Sequence, residues 1–217
     1  VARRTEQETE KTRKRIRVAA ALVFAAAGYK GGSLAVIAKR ARVPKSLVLH
    51  HFGSKQELWE LVHYSTFQRY FDAQLATFSA PAPARQFVSK SCAAYFGFLQ
   101  NNPTFLRMMY WNQVESSAST GRRHQRKTRA AANHLIAGGA ERLRALQEQG
   151  EIRRDLDPQM LVACFLGLLR QWFSVREAYF SGSKQKGAAA DAKYLRTVVA
   201  LLTTGVQTPL PEPSSVD

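Results

Sequence analysis

The chain has 217 residues, 45% of them hydrophobic, and a formal net charge of +16. That length and apolar content exclude a disordered chain and allow one large domain or a small and a medium one. The basic excess points to a nucleic acid or another anionic surface, and it is uneven. Residues 1–58 hold 13 Lys/Arg against 4 acids, whereas residues 59–217 hold 19 against 12.

In chain order every segment reads as helix, with no alternating strand pattern. Residues 1–10 are polar and read as a loose arm. Ile16, Ala19, Ala20, Val23, Phe24 and Ala27 then recur every three or four residues, predicting a first helix over about 9–27. Gly28 is placed to stop it. Ser33 is an N-cap for a second helix to about Arg40, followed by the turn Ala41-Arg42-Val43. Pro44 fits the first turn of a third helix ending near Phe52-Gly53. Ser54 and Glu57 form a capping box for a long fourth helix to about Phe78. After the break at residues 79–84, helices are predicted over about 85–100 and 104–114. A polar loop covers 115–121. Arg122–Arg129 reads as a solvated, cation-rich helix start, and the helix runs to Gln149. Gly138-Gly139 inside it predicts a kink or a close helix approach. Asp157 and Pro158 open a helix to about Phe180. Residues 181–187 read as a flexible link, 188–204 as the last helix, and 208–217 as a disordered tail.

Residues 33–58 carry the most information. Two short helices around a tight turn, leading into a longer helix, make a helix-turn-helix unit. Leu34, Ile37, Ala38, Val43, Val48, His51 and Phe52 supply its small core. The outer face of the third helix then carries Lys45, Ser46, Leu47, Leu49 and His50. Such a helix fits the major groove, where Lys45 can reach guanine, His50 and Ser46 base edges or phosphate, and Leu47 a thymine methyl. Arg42 lies in the turn. Ser33 and Lys55, each at a helix amino end, are placed to grip phosphate, and Arg13, Lys14, Arg15 and Arg17 add positive potential. His51 reads as a packed histidine.

These residues resemble the TetR family of transcriptional regulators. The resemblance is carried by Ile16, Ala19, Ala20, Val23, Phe24, Gly28 and Tyr29, by Ile37-Ala38, and by His51-Phe52 with Ser54-Lys55, Glu57 and Leu58. A weaker likeness runs from Gly150 to Pro158. Arg42, Pro44, Leu49 and His50 depart from the family's commoner Gly, Ser or Thr, and aromatic residues. The resemblance implies an all-α chain with an N-terminal arm and helix-turn-helix domain over residues 1–58. It implies a helical effector-binding and dimerisation domain over 59–207, followed by the tail. It implies a homodimer joined by the last two long helices. Their apolar residues cover a wide arc: Leu161, Cys164, Phe165, Leu168, Leu169, Trp172 and Phe173, then Tyr194, Leu195, Val198, Leu201 and Leu202. It also implies a near-palindromic duplex operator and a repressor released by a small effector, with an activator or an effector-independent regulator as the alternative. The effector pocket is expected among helices four to eight, at Phe67, Tyr95, Phe98, Met108, Trp111, Phe165 and Trp172. An apolar or aromatic ligand is expected there. Arg107, Glu115 and Arg170 are charges in apolar contexts, each needing a partner if buried, and a ligand, one carrying a carboxylate among them, is a candidate partner.

Other classes find little in the sequence. No Ser/His/Asp order, carboxylate pair, metal spacing or phosphate loop points to an enzyme, a cofactor or a metal. Cys92 and Cys164 read as buried free thiols. No signal peptide is read, and Leu161–Leu169 is too short an apolar run to cross a bilayer, so a cytoplasmic protein without a membrane partner is expected.

Overall fold

A computed structural model describes residues 2–115, 126–180 and 187–207. All elements in those residues are helices: α1 (Ala2–Gly31), α2 (Leu34–Ala41), α3 (Lys45–Phe52), α4 (Lys55–Ser79), α5 (Ala84–Asn101), α6 (Pro103–Glu115), α7 (Arg126–Glu148), α8 (Pro158–Phe180) and α9 (Ala188–Gln207). The loop at 116–121, the helix start at 122–125, the link at 181–186 and the tail at 208–217 lie outside the described residues. Two compact units are formed, Val1–Arg69 with Asn102–Ala131, and Tyr70–Asn101 with Ala132–Asp217.

In the first unit the expected loose arm is instead the opening of α1. Residues 2–27 contain no Gly or Pro, and Arg13 and Arg17 both pair with Glu10, at 3.7 and 3.0 Å. Helix-forming side chains with such near neighbours carry the helix outward without a core beneath it. The stripe from Ile16 to Phe24 is buried with Ile37, Val48, Phe52, Leu58, Trp59 and Met108. Phe24 meets Trp59 edge to face at 4.9 Å, a favoured aromatic arrangement.

Gly28 interrupts α1 as expected, at the positive φ of 71 with ψ −173, and one more helical turn follows beyond the kink. The restarted turn is capped from α6. Glu115 accepts hydrogen bonds from the N–H groups of Lys30 and Tyr29 at 3.1 and 3.3 Å. The Trp111 indole donates to the Ala25 carbonyl at 3.2 Å. A Cβ on residue 28 would lie 2.6 Å from the Glu115 carboxylate and 2.9 Å from the Trp111 ring. Gly28→Ala therefore adds both left-handed strain and overlap. It is expected to lower stability by about 2 kcal/mol in urea unfolding, and a loss below about 0.5 kcal/mol would mean that α6 gives way freely.

In the second unit the glycine pair of α7 serves close approach. Cβ atoms there would lie 3.3 Å from Phe78 of α4 and 3.3 Å from Val162 of α8. Asp157 caps α8 as expected, accepting from Gln159 and Met160 N–H groups at 2.8 and 2.9 Å. The turn before it is held by Gln147, whose amide donates to the carbonyls of Arg153 and Leu156, both at 2.7 Å. Phe165, Leu169, Trp172 and Val198 are buried, but Met160, Leu168 and Leu201 are 62%, 42% and 65% exposed. Cys164, expected to be buried, is exposed beside them. The apolar arc of α8 is wider than the chain's own packing covers, so one side of it faces out.

Candidate nucleic-acid interface

The helix-turn-helix core forms from the expected residues. Ile37, Ala38, Val48 and Phe52 are buried, and Leu34 and Val43 pack partly against them. Ser33 caps α2, its hydroxyl accepting from the Ala35 N–H at 3.2 Å. At the other end Arg42 adopts φ 54 and ψ 50, the left-handed conformation. Its N–H and that of Val43 reach back to the carbonyls of Lys39 and Ala38 at 3.1 and 3.0 Å. This is a helix-ending motif usually given to glycine. Arg42 is the one non-glycine residue with positive φ among the described residues. Arg15 of α1 donates to the carbonyls of Ala41 and Arg42. A cation thus closes the negative end of α2, which is a more specific role than diffuse positive potential.

Pro44 stands one position earlier than expected, as the N-cap of α3 rather than its first helical residue. It has no side chain to cap with, so the opening N–H groups of α3 are left for solvent or an anion. Val48 and Phe52 turn inward, whereas Lys45, Ser46, Leu49 and His50 are exposed and Leu47 is half-buried. Ser33 and Arg42 are exposed as well. Burial, His50 and Arg13 together hold the His51 pKa below its ordinary value, which favours the neutral ring of a packing residue.

Lys55 is only partly available. Its ammonium donates to the Lys30 carbonyl at 3.3 Å and lies 4.7 Å from the centre of the Tyr29 ring. Burial lowers its pKa, and the Glu115 charge opposes that shift. The exit into α4 is a variant of the capping box. Ser54 accepts from the Glu57 N–H at 3.1 Å and donates its hydroxyl to the Glu57 carboxylate at 2.8 Å. Between Glu10 and Glu57 the sequence has no acid and eleven Lys/Arg. Lys11, Lys14, Arg15, Arg40 and Arg42 line one shallow groove along α1 and the end of α2. A surface so uniformly positive attracts a polyanion and repels nothing on it.

The second unit holds a narrow apolar cavity with about 470 Å³ of space between its wall atoms, some of it open to solvent. The part wide enough for a water is about 40 Å³. Its wall comes from α4, α5, α7 and α8, and none of the described lining residues is charged. Burial pushes the Cys92 thiol in this wall up to about 12. It therefore stays protonated and unreactive at neutral pH. Among the described residues no group of three His, Cys, Asp or Glu gathers as a metal site, and no helix is long and apolar enough to cross a membrane.

Two family profiles match this arrangement. "Bacterial regulatory proteins, tetR family" covers residues 16–62, and "Tetracyclin repressor-like, C-terminal domain" covers residues 91–203, just over half of the chain. The chain belongs to the TetR family of transcriptional regulators. Its solved relatives share the fold at low identity. A Streptomyces coelicolor protein, SCO4942, provisionally assigned as a transcriptional regulator, is 22% identical with a TM-score of 0.69, over 91% of this chain and 99% of its own. A Clostridium perfringens regulator provisionally assigned to fatty acid metabolism is 23% identical with a TM-score of 0.71, covering 90% and 100%. The TetR-family regulator PfmR of Thermus thermophilus is 21% identical with a TM-score of 0.69, covering 89% and 100%. No curated protein sequence matches.

In this TetR-family chain the seven residues expected at the pocket separate. Tyr95 and Phe165 line the cavity. Phe67 stacks on Phe105 in the first unit, and Met108 belongs to the helix-turn-helix core. Trp111 is bonded to α1. Phe98 stacks on Tyr70 at 4.8 Å. Trp172 lies at 4.3 Å from Tyr194 and donates its indole N–H to Asp191 at 2.7 Å. Of the three charges for which a ligand partner is expected if buried, Glu115 is occupied in capping and Arg107 is exposed. Arg170 is half-buried and is not in the cavity wall. Sequence reasoning missed Gln74 and Ser91 of that wall. Their signal was present as polar residues on otherwise apolar helix faces.

Proposed function

We propose that this regulator is a repressor that binds a near-palindromic operator as a homodimer and leaves it when a small, largely apolar effector binds. The observation that carries the reading is the acid-free, exposed face of α3 and its flanks, set on a fully packed helix-turn-helix core. Ser33, Arg42, Lys45, Ser46, Leu47, Leu49 and His50 make the DNA contacts, with Lys55 contributing positive potential beside them. Residues 1–58 read DNA, and residues 59–207 bind effector and dimerise. Dimerisation is supported by the uncovered apolar side of α8 and α9, at Met160, Cys164, Leu168 and Leu201. A two-fold contact covers the same patch on both copies. The effector reading is supported by the cavity with Tyr95 and Phe165 in its wall.

The test is fluorescence anisotropy on the promoter beside the regulator's own gene, over a range of salt. Two chains are expected per duplex, with recognition helices roughly 34–36 Å apart. Affinity should fall steeply with salt, by about one log-log unit for each phosphate neutralised. Lys45→Ala, at an exposed site, should weaken specific binding about ten-fold while leaving the thermal midpoint unchanged. Binding that ignores salt, or that is untouched by Lys45→Ala, sinks the assignment of α3 as the reading helix.

A further inference from the structure

We propose that the cavity of the second unit is built for an uncharged, slender, apolar molecule ending in a hydroxyl group, held by Gln74 and Ser91. The proposal rests on the effector reading of that cavity and names the chemistry it selects. Gln74 of α4 is 3% exposed, and its amide nitrogen donates to the Ser91 carbonyl on α5 at 3.4 Å. The Gln74 side chain thus lies against the Ser91 backbone, and both residues line the one cavity. Gln74 Oε1 and Ser91 Oγ are both buried, both belong to lining residues, and neither has a hydrogen-bond partner. Native chains keep few such atoms, and each calls for an occupant or a reason.

The two orphans differ in what they ask for. Gln74 Oε1 accepts only, whereas the Ser91 hydroxyl can donate or accept. One ligand hydroxyl answers both, giving its proton to Gln74 and taking that of Ser91 on its oxygen. A carboxylate has no proton for Gln74 and would place a charge against a wall without a cation. An ether or ketone oxygen would satisfy Ser91 and leave Gln74 unpaired. An ammonium would meet no carboxylate among the lining residues. Arg142 meets this wall only through Phe87. Its guanidinium lies 5.9 Å from that ring centre and donates to the Ala82 carbonyl at 2.8 Å, although its Nε is buried without a partner. The 40 Å³ of wide space holds on the order of three waters. A single alkyl chain enters such a slot with small side-chain shifts, and a fused ring system does not.

The experiment is calorimetric titration of the full chain with 1-octanol, 1-methoxyheptane, octanoate and octylamine, which share a similar apolar length. 1-Octanol should bind at least about ten-fold tighter than each of the other three. In Gln74→Leu and in Ser91→Ala its lead over the ether should shrink to within about two-fold. The thermal midpoint of Ser91→Ala should hold or rise, because it removes only an orphaned polar atom; a purely structural role would lower it. Octanoate binding as tightly as the alcohol, or an alcohol lead that survives both substitutions, overturns the proposal. Equal binding of all four also overturns it and leaves an unselective effector cavity standing. Binding of none of them, with Gly139→Val changing nothing, removes the cavity reading as well. Operator release is followed separately by anisotropy. An alcohol that binds in the Gln74-dependent way without releasing DNA keeps the hydroxyl site and removes its effector role.

Discussion

Asp191→Ala is expected to lower the stability of the chain by about 3 kcal/mol. Asp191 sits in the first turn of α9 and is 4% exposed. Its Oδ1 accepts from the Trp172 indole at 2.7 Å and from Arg176 at 3.0 Å; its Oδ2 accepts from Arg176 at 2.9 Å and from the Gln100 amide at 2.9 Å. One carboxylate thus ties α5, α8 and α9 together. Removing it strands the buried Trp172 indole N–H, and takes a partner from the exposed Gln100 amide and from a guanidinium that is 35% exposed. Arg176 can turn to water, which places the loss at the lower end of the range for a broken buried pair.

Two further variants separate the contributions. Asp191→Asn keeps the shape but sets an NH2 group against a donor on one side, and should lose about 2 kcal/mol. Arg176→Ala leaves the buried Asp191 carboxylate with two neutral donors and no counter-charge, and should lose about 3 kcal/mol. All three are read by urea unfolding at one protein concentration, because association adds to apparent stability. A loss below about 1 kcal/mol for Asp191→Ala would mean that apolar packing alone holds the three helices together.

The contrast between Asp191 and the helix-turn-helix shows what a sequence reveals. The core of α1 to α4 was legible because its signals are local. Stripe residues recur at helical spacing, Ser33 caps a helix two residues on, and Ser54 and Glu57 lie three apart. The exposed face of α3 followed, since the side not taken by Val48 and Phe52 must face out. Asp191 carries no local signal of its role, because its partner Gln100 is 91 positions away. Glu115 looked like a charge awaiting a ligand until the kink at Gly28 showed which N–H groups it caps, the Tyr29 N–H being 86 positions from it. Aromatic residues divide between the two units for the same reason. Phe67, Met108 and Trp111 have a pocket-like composition, but composition does not say which unit a helix face packs into. Gln74 and Ser91 carry information only once they are seen to line the same cavity. The positive φ at Arg42 was hidden differently: the backbone there follows from the need to end α2 and turn into α3, not from the residue that occupies it.

Acid should destabilise the first unit through His63, by about 3 kcal/mol between pH 6.5 and 4. The ring is 5% exposed, stacked on Trp59 at 6.2 Å and tilted against Phe105 at 4.9 Å. Burial lowers its pKa from 6.5 to about 4. Asn112 Nδ2 lies 2.9 Å from Nε2, so Nε2 accepts and the ring proton sits on Nδ1. A second proton would set N–H against N–H in an apolar surround, which agrees with the direction of the shift. The unfolded chain takes up its proton near pH 6.5 and the folded chain only near 4. Between those values the unfolded state holds more protons, so stability is complete above the window and declines as pH falls through it. Carboxylates elsewhere titrate in the same range, so the quantity to measure is a difference. His63→Gln keeps a side chain able to bond Asn112 but cannot take up a proton. Unfolding free energies of both chains at pH 7 and pH 4 should show the parent losing about 3 kcal/mol more than the variant. Parallel pH profiles would mean that the folded protein admits the imidazolium, and that the Trp59–His63–Phe105 stack opens to water at little cost.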